Sequence, residues 1–198
     1  MASQLQHEIY LDNNATTPVL PQAAQAAMHA MQQGFGNPSS SHATGIKAKA
    51  QLECTRALAR QLIGANSGDI IFTSGATEGI QSSIVSALLA ARDRGLSGPD
   101  TLLLYGATEH KAVPESLKHW NRVLQLNATV LAIPVDKSGL LDQQFIRQKL
   151  PSAAMICTMA ANNETGVKQD LLALEQLIRE INPAVYWMVD CVQALGKM

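Results

Sequence analysis

Ser74-Gly75-Ala76-Thr77-Glu78 lies between a short apolar run, residues 70–73, and a long stretch with helical periodicity. At the end of a strand and the start of a helix, such a turn offers free backbone N–H groups and a partial positive charge to an anion. Gly75 allows close backbone approach, the amides of Ala76 and Thr77 would point outward, and the Thr77 hydroxyl adds a donor. The same residues also suit an ordinary turn capped by Thr77. Neither common nucleotide loop is present: the turn lacks Gly-Lys-Ser/Thr, and Gly34-Phe35-Gly36 lacks the third glycine of a dinucleotide fingerprint. A second cluster, Asp190-Cys191-Val192-Gln193, follows the apolar run 184–189. A carboxylate there is costly unless paired, and a protonated ring nitrogen would pair with it, with Gln193 in reach of a ring hydroxyl. The alternative is that Asp190 caps the next element.

Two further clusters share this placement. Thr108-Glu109-His110 follows the run 101–105; its imidazole could stack on an aromatic ring and exchange protons near neutral pH, or be a structural histidine at a helix start. Asn162-Asn163-Glu164-Thr165-Gly166 follows the run 153–160 and offers amide donors to a carboxylate or ring oxygen, or forms a polar turn with Gly166 at positive φ. Polar clusters at the ends of four apolar runs point to one site at the carboxyl edge of a parallel sheet.

The elements needed to hold them are legible. Short apolar runs at 70–73, 101–105, 129–135, 153–160 and 184–189 suit a sheet covered on both faces. Between them, helical patterns span 77–94 (Ile80, Ile84, Leu88 and Ala91 in register), 113–124, 142–150 and 171–181. Ahead of them, residues 21–32 are alanine-rich with Pro21 suited to a first turn, and 44–63 places Leu52, Leu58, Leu62 and Ile63 along one side, with Gly64 ending the helix. The intervening segment 34–42, rich in Gly, Pro and Ser, reads as a surface or site-lining loop. The alternation specifies a layered α/β architecture.

Composition sets the outer bounds. The chain has 198 residues, 46% of them hydrophobic and 16% charged, which suits a folded domain rather than a disordered one. A net charge of -1 gives no footprint for nucleic acid or an anionic membrane. Residues 1–6 lack the features of a signal peptide, and no stretch approaches the roughly 20 apolar residues of a membrane span, so a cytoplasmic location is expected. The cysteines, Cys54, Cys157 and Cys191, show no metal or disulfide spacing. Cys54 and Cys157 are expected to act as small buried hydrophobes.

In order along the chain, Tyr10-Leu11-Asp12-Asn13-Asn14-Ala15-Thr16-Thr17-Pro18, Phe35-Gly36-Asn37-Pro38-Ser39-Ser40 with His42, Phe72 to Glu78, Glu109-His110-Lys111-Ala112-Val113, Asn162 to Val167 and Val189 to Lys197 resemble the class V aminotransferases. Within that family the resemblance is to cysteine desulfurases of the NifS/IscS type. It implies the three-layer, fold-type-I large domain of pyridoxal-phosphate transferases, with a mostly parallel sheet incomplete at its C-terminus. An extended segment over 1–20 and a partial cofactor-binding domain over 21–198 are expected.

The resemblance also assigns roles. Ala76 and Thr77 would bind the phosphate of pyridoxal 5'-phosphate, and His110 would stack on its ring and move protons. Asp190 would pair with the ring nitrogen, while Asn163 and Gln193 would sit near the ring hydroxyl, Asn163 also facing the substrate. No metal is implied. The expected substrate is L-cysteine and the expected partners are a second subunit and a sulfur-acceptor or iron–sulfur scaffold protein. The lysine that anchors the cofactor, the cysteine that accepts sulfur and the small domain fall outside these residues, so the chain by itself is expected to be inactive. Selenocysteine lyase, or a truncated non-catalytic interaction module, are the alternatives. Cys191, where relatives have a small residue, is read as a packing residue.

Overall fold

The computed structural model describes residues 9–198, so the reading of residues 1–6 lies outside the described part. The chain forms two compact units, one ending at Phe72 and the other spanning Thr73–Met198.

The described residues of the first unit form two helices. α1 (Pro21–Gln33) begins with the expected proline and buries none of its residues. α2 (Ala43–Leu62) is capped by His42, whose Nδ1 accepts from the Gly45 amide at 3.4 Å. A Cβ on Gly45 would stand 2.5 Å from the Ser40 carbonyl oxygen and 2.7 Å from that of Asn37. The loop therefore lies directly on the first turn of α2, and only glycine admits it. At the far end Gly64 takes φ +67, and the amides of Gly64 and Ala65 donate to the Gln61 and Arg60 carbonyls, closing the helix as its sequence predicts.

Two expectations fail in this unit. Leu58, Leu62 and Ile63 are 54%, 77% and 47% exposed, and Cys54 is exposed as well. Only Gly45 and Ala48 of α2 are buried, because the unit's described residues supply no strand or third helix to cover the apolar stripe. Residues 70–73 form no strand, and Ile71 and Phe72 are largely exposed. A β-favouring run becomes a strand only where a neighbouring strand takes its backbone hydrogen bonds.

In the second unit strands and helices alternate as expected: α3 (Ala76–Asp93), β1 (Leu102–Gly106), α4 (Ala112–Val123), β2 (Thr129–Ile133), α5 (Gln143–Lys149), β3 (Ala153–Met159), α6 (Leu171–Ile181) and β4 (Tyr186–Asp190). The four strands are all parallel, in the order β2-β1-β3-β4. Leu103, Met155 and Cys157 face one side and pack with Ile84 and Leu88 of α3 and Val113 and Leu117 of α4. Leu104 and Ile156 face the other side, against Ile146 of α5 and Leu174, Leu177 and Ile178 of α6. The sheet is thus sandwiched between two helical layers, and every residue of β3 is buried.

This strand order creates a switch point. From β1 the chain moves outward to β2, then returns to the opposite side of β1 to form β3. Between β1 and β3 the flanking connections diverge, leaving a crevice beyond the strands' carboxyl ends.

Among the described residues, no helix is long and apolar enough to cross a membrane, and no group of three or more His, Cys, Asp and Glu side chains could hold a metal ion.

Candidate functional site

α3 starts at Ala76, with Gly75 extended before it and no side chain capping its first amides. Glu78 instead reaches back, accepting from the Ser74 amide at 2.6 Å and from the Ser74 hydroxyl. These donors hold the Glu78 carboxyl below its ordinary value, the hydroxyl most of all, and fix the turn much as a capping box does. A Cβ built on Gly75 meets nothing within 4 Å. Its φ of 166 is open to any residue, so here glycine keeps the space before the helix clear rather than relieving strain. Gly75→Ala should therefore leave thermal stability within about 0.5 kcal/mol of the parent in a melting experiment, while weakening phosphate binding to the turn in a calorimetric titration.

Thr77 and His110 line one cleft, of about 440 Å³, with Gln81, Lys111, Glu115 and His119. The His110 Nδ1 accepts from the Ala112 amide at 3.2 Å, which leaves Nε2 as the nitrogen that carries the proton of the neutral ring.

Asn163, Asp190 and Gln193 do not line that cleft. Asp190 is the last residue of β4 rather than the first beyond it. Its Oδ1 accepts from the Val192 amide at 2.9 Å, and its carbonyl accepts from the Ala160 amide at 2.8 Å, tying the ends of β3 and β4 together. The Gln193 side-chain Oε1 accepts from the Lys197 Nζ. Of the two adjacent asparagines, Asn162 builds the turn: its Oδ1 accepts from the Glu164 and Thr165 amides at 2.9 and 2.8 Å, and its Nδ2 donates to the Thr108 carbonyl at 3.0 Å. Cys191 is exposed rather than packed. Desolvation of its sulfur, then the Asp190 carboxylate, push the thiol above its ordinary value, which disfavours a reactive thiolate.

Glu109 was legible only as part of a motif, and the structure gives it a distinct place. It crosses the switch point from the loop after β1, and its Oε1 accepts from the amide of Met159, the last residue of β3. Its Oε2 is buried without a hydrogen-bond partner. Burial, with a smaller push from Asp190, raises the carboxyl from 4.5 to about 8, against the lowering effect of the Met159 amide. Glu109 is therefore a neutral acid at pH 7. Because the folded chain holds a proton that the unfolded chain has released, this group's contribution to stability is full below pH 4.5 and is lost as pH rises to about 8.

Residues 9–198 match the aminotransferase class-V family. The chain belongs to that family. It is 38% identical to a cysteine desulfurase of Cereibacter sphaeroides over 96% of this chain and 47% of that protein. It is 31% identical to a selenocysteine lyase of Xenopus laevis over 99% of this chain and 50% of that protein. Among solved structures, a NifS-like protein superposes with a TM-score of 0.82 at 28% identity, over 92% of this chain and 48% of the other. The chain spans about half the length of the curated relatives it matches.

Proposed function

We propose that these residues form the cofactor-binding part of a pyridoxal-phosphate-dependent cysteine desulfurase. The observation that carries the reading is the cleft shared by Thr77 and His110, with the uncapped start of α3 before it. The residues fit the group. First-turn amides with no side-chain cap, a threonine hydroxyl and open space around Gly75 suit a phosphate, and a carboxylate at the end of β4 suits a protonated ring nitrogen.

In this reading Ala76 and Thr77 hold the phosphate, Asp190 keeps the ring nitrogen protonated, and Asn163 and Gln193 approach the ring hydroxyl. His110 stacks on the ring and moves a proton through Nε2, and Asn163 also faces the substrate. The cofactor supplies an electron sink. For the whole protein, L-cysteine and an enzyme thiol give L-alanine and an enzyme persulfide, with the carbon–sulfur bond broken and a sulfur–sulfur bond formed. A cytoplasmic homodimer passing sulfur to an acceptor or an iron–sulfur scaffold is the accompanying proposal. Similarity to a selenocysteine lyase over 99% of the chain supports the corresponding selenium chemistry as the second reading.

Binding of pyridoxine 5'-phosphate, which has the ring and phosphate but no aldehyde to react with stray lysines, tests the site. Calorimetric titration into the chain should give saturable binding at one site per chain. Absence of saturable binding at millimolar ligand would remove the cofactor assignment.

A further inference from the structure

Glu109 has no role in the reading above, yet its Oε2 is buried at the switch point without a hydrogen-bond partner. Its loop carries His110, and its carboxyl bonds the Met159 amide; the next amide, that of Ala160, bonds the Asp190 carbonyl. One carboxyl group thus connects the loop bearing the imidazole to the backbone link that holds the end of β4. The Asn162 side-chain Nδ2 adds a parallel strut, donating from the turn after β3 to the Thr108 carbonyl. We propose that Glu109 is a positioning residue of this site: by fastening the His110 loop to the end of β3, it sets the imidazole relative to Asp190.

Its surroundings suit a neutral clamp. The titratable groups around it are Cys157 of β3, Asp190 of β4 and His110 of its own loop, and no lysine or arginine pairs with it among the described ion pairs. Burial, and then Glu109 itself, hold the Cys157 thiol well above its ordinary value, so it stays neutral as well. With Glu109 protonated, Asp190 is the single negative charge at this point of the edge. When Glu109 ionises, a second negative charge arrives, and attraction for a cationic ring nitrogen increases. By linkage, a cation bound at Asp190 lowers the pH at which Glu109 releases its proton.

The proposal rests on the cofactor reading for its ligand but not for its test. In the ligand-free chain, the 13C signal of the Glu109 carboxyl and the Met159 amide signal should titrate together near pH 8. Glu109→Gln keeps a neutral acceptor of equal length; it should leave the His110 ring resonances in place and abolish the Met159 titration. Glu109→Ala should move the His110 resonances. With pyridoxine 5'-phosphate at pH 7, the Gln variant should bind within about threefold of the parent and the Ala variant roughly tenfold more weakly. The ratio of parent to Gln-variant affinity should then rise between pH 7 and 9. A Met159 amide that ignores Glu109 ionisation, or unmoved His110 resonances in a folded Glu109→Ala chain, overturns the clamp. If Glu109→Ala does not fold, the parent titration and its loss in Glu109→Gln decide. If no variant binds pyridoxine 5'-phosphate, the cofactor reading fails, and the ligand-free spectra still judge the clamp.

Discussion

Asp190→Asn should weaken pyridoxine 5'-phosphate binding by roughly thirtyfold at pH 7, the equivalent of about 2 kcal/mol. That figure is the lower end of what removing one partner from a hydrogen-bonded charge pair costs, because Asp190 is only half-buried at the end of β4. Asparagine keeps an oxygen to accept the Val192 amide, and the backbone link from Ala160 is untouched, so the melting temperature should hardly move. The substitution also removes a charge that pushes the Glu109 carboxyl upward. Glu109 should therefore titrate at a lower pH in this variant, though still above 4.5 because burial is the larger cause. Calorimetry measures the first effect and carboxyl NMR the second. Unchanged affinity would mean that Asp190 does not meet the ring nitrogen.

The other large effect concerns stability. Ile84 is fully buried on α3 and packs in the cluster containing Leu88, Leu103 and Leu117. Ile84→Ala should lower unfolding free energy by about 2–5 kcal/mol, from the lost transfer energy and the cavity left behind. For a chain of this size that corresponds to a fall in melting temperature of roughly 5–15 °C. Leu62→Ala, at a 77% exposed position of α2, is the control and should stay within about 0.5 kcal/mol. Because α3 presents Ala76 and Thr77, loosening its packing should weaken phosphate binding as well as the fold. Equal melting curves for the two variants would contradict the packing described here.

Much of the second unit is legible in its sequence because its signals are local. Ile80, Ile84, Leu88 and Ala91 recur at helical spacing, and all four are buried on α3. The runs that become β1 to β4 are short, apolar and bounded by polar turns. What cannot be read locally depends on partners. Residues 70–73 have the composition of a strand but pair with no strand among the described residues, and the apolar stripe of α2 stays largely exposed because the described residues of its own unit offer no strand or third helix to cover it. Glu109 shows the same gap in the opposite direction. In sequence it is an acid near a helix start, which normally means a solvated side chain. Its burial follows from a strand that arrives some fifty residues later and offers the Met159 amide. Likewise, nothing in Asn162-Asn163 distinguishes the residue that builds the turn from its neighbour until the Thr108 carbonyl is in place.

The all-parallel ladder bears on how this edge comes into being. A parallel pair cannot be joined by a tight hairpin, so Leu102 must find Thr129 on one side and Ala153 on the other. Each pairing closes a long loop before its hydrogen bonds return anything. The contacts between Glu109 and Met159, and between Ala160 and Asp190, lie at the far ends of those closures. Unlike a site carried on a single hairpin or helix, this edge has no local precursor. It is a property of the assembled sheet, and it forms only as segments far apart along the chain commit to one another.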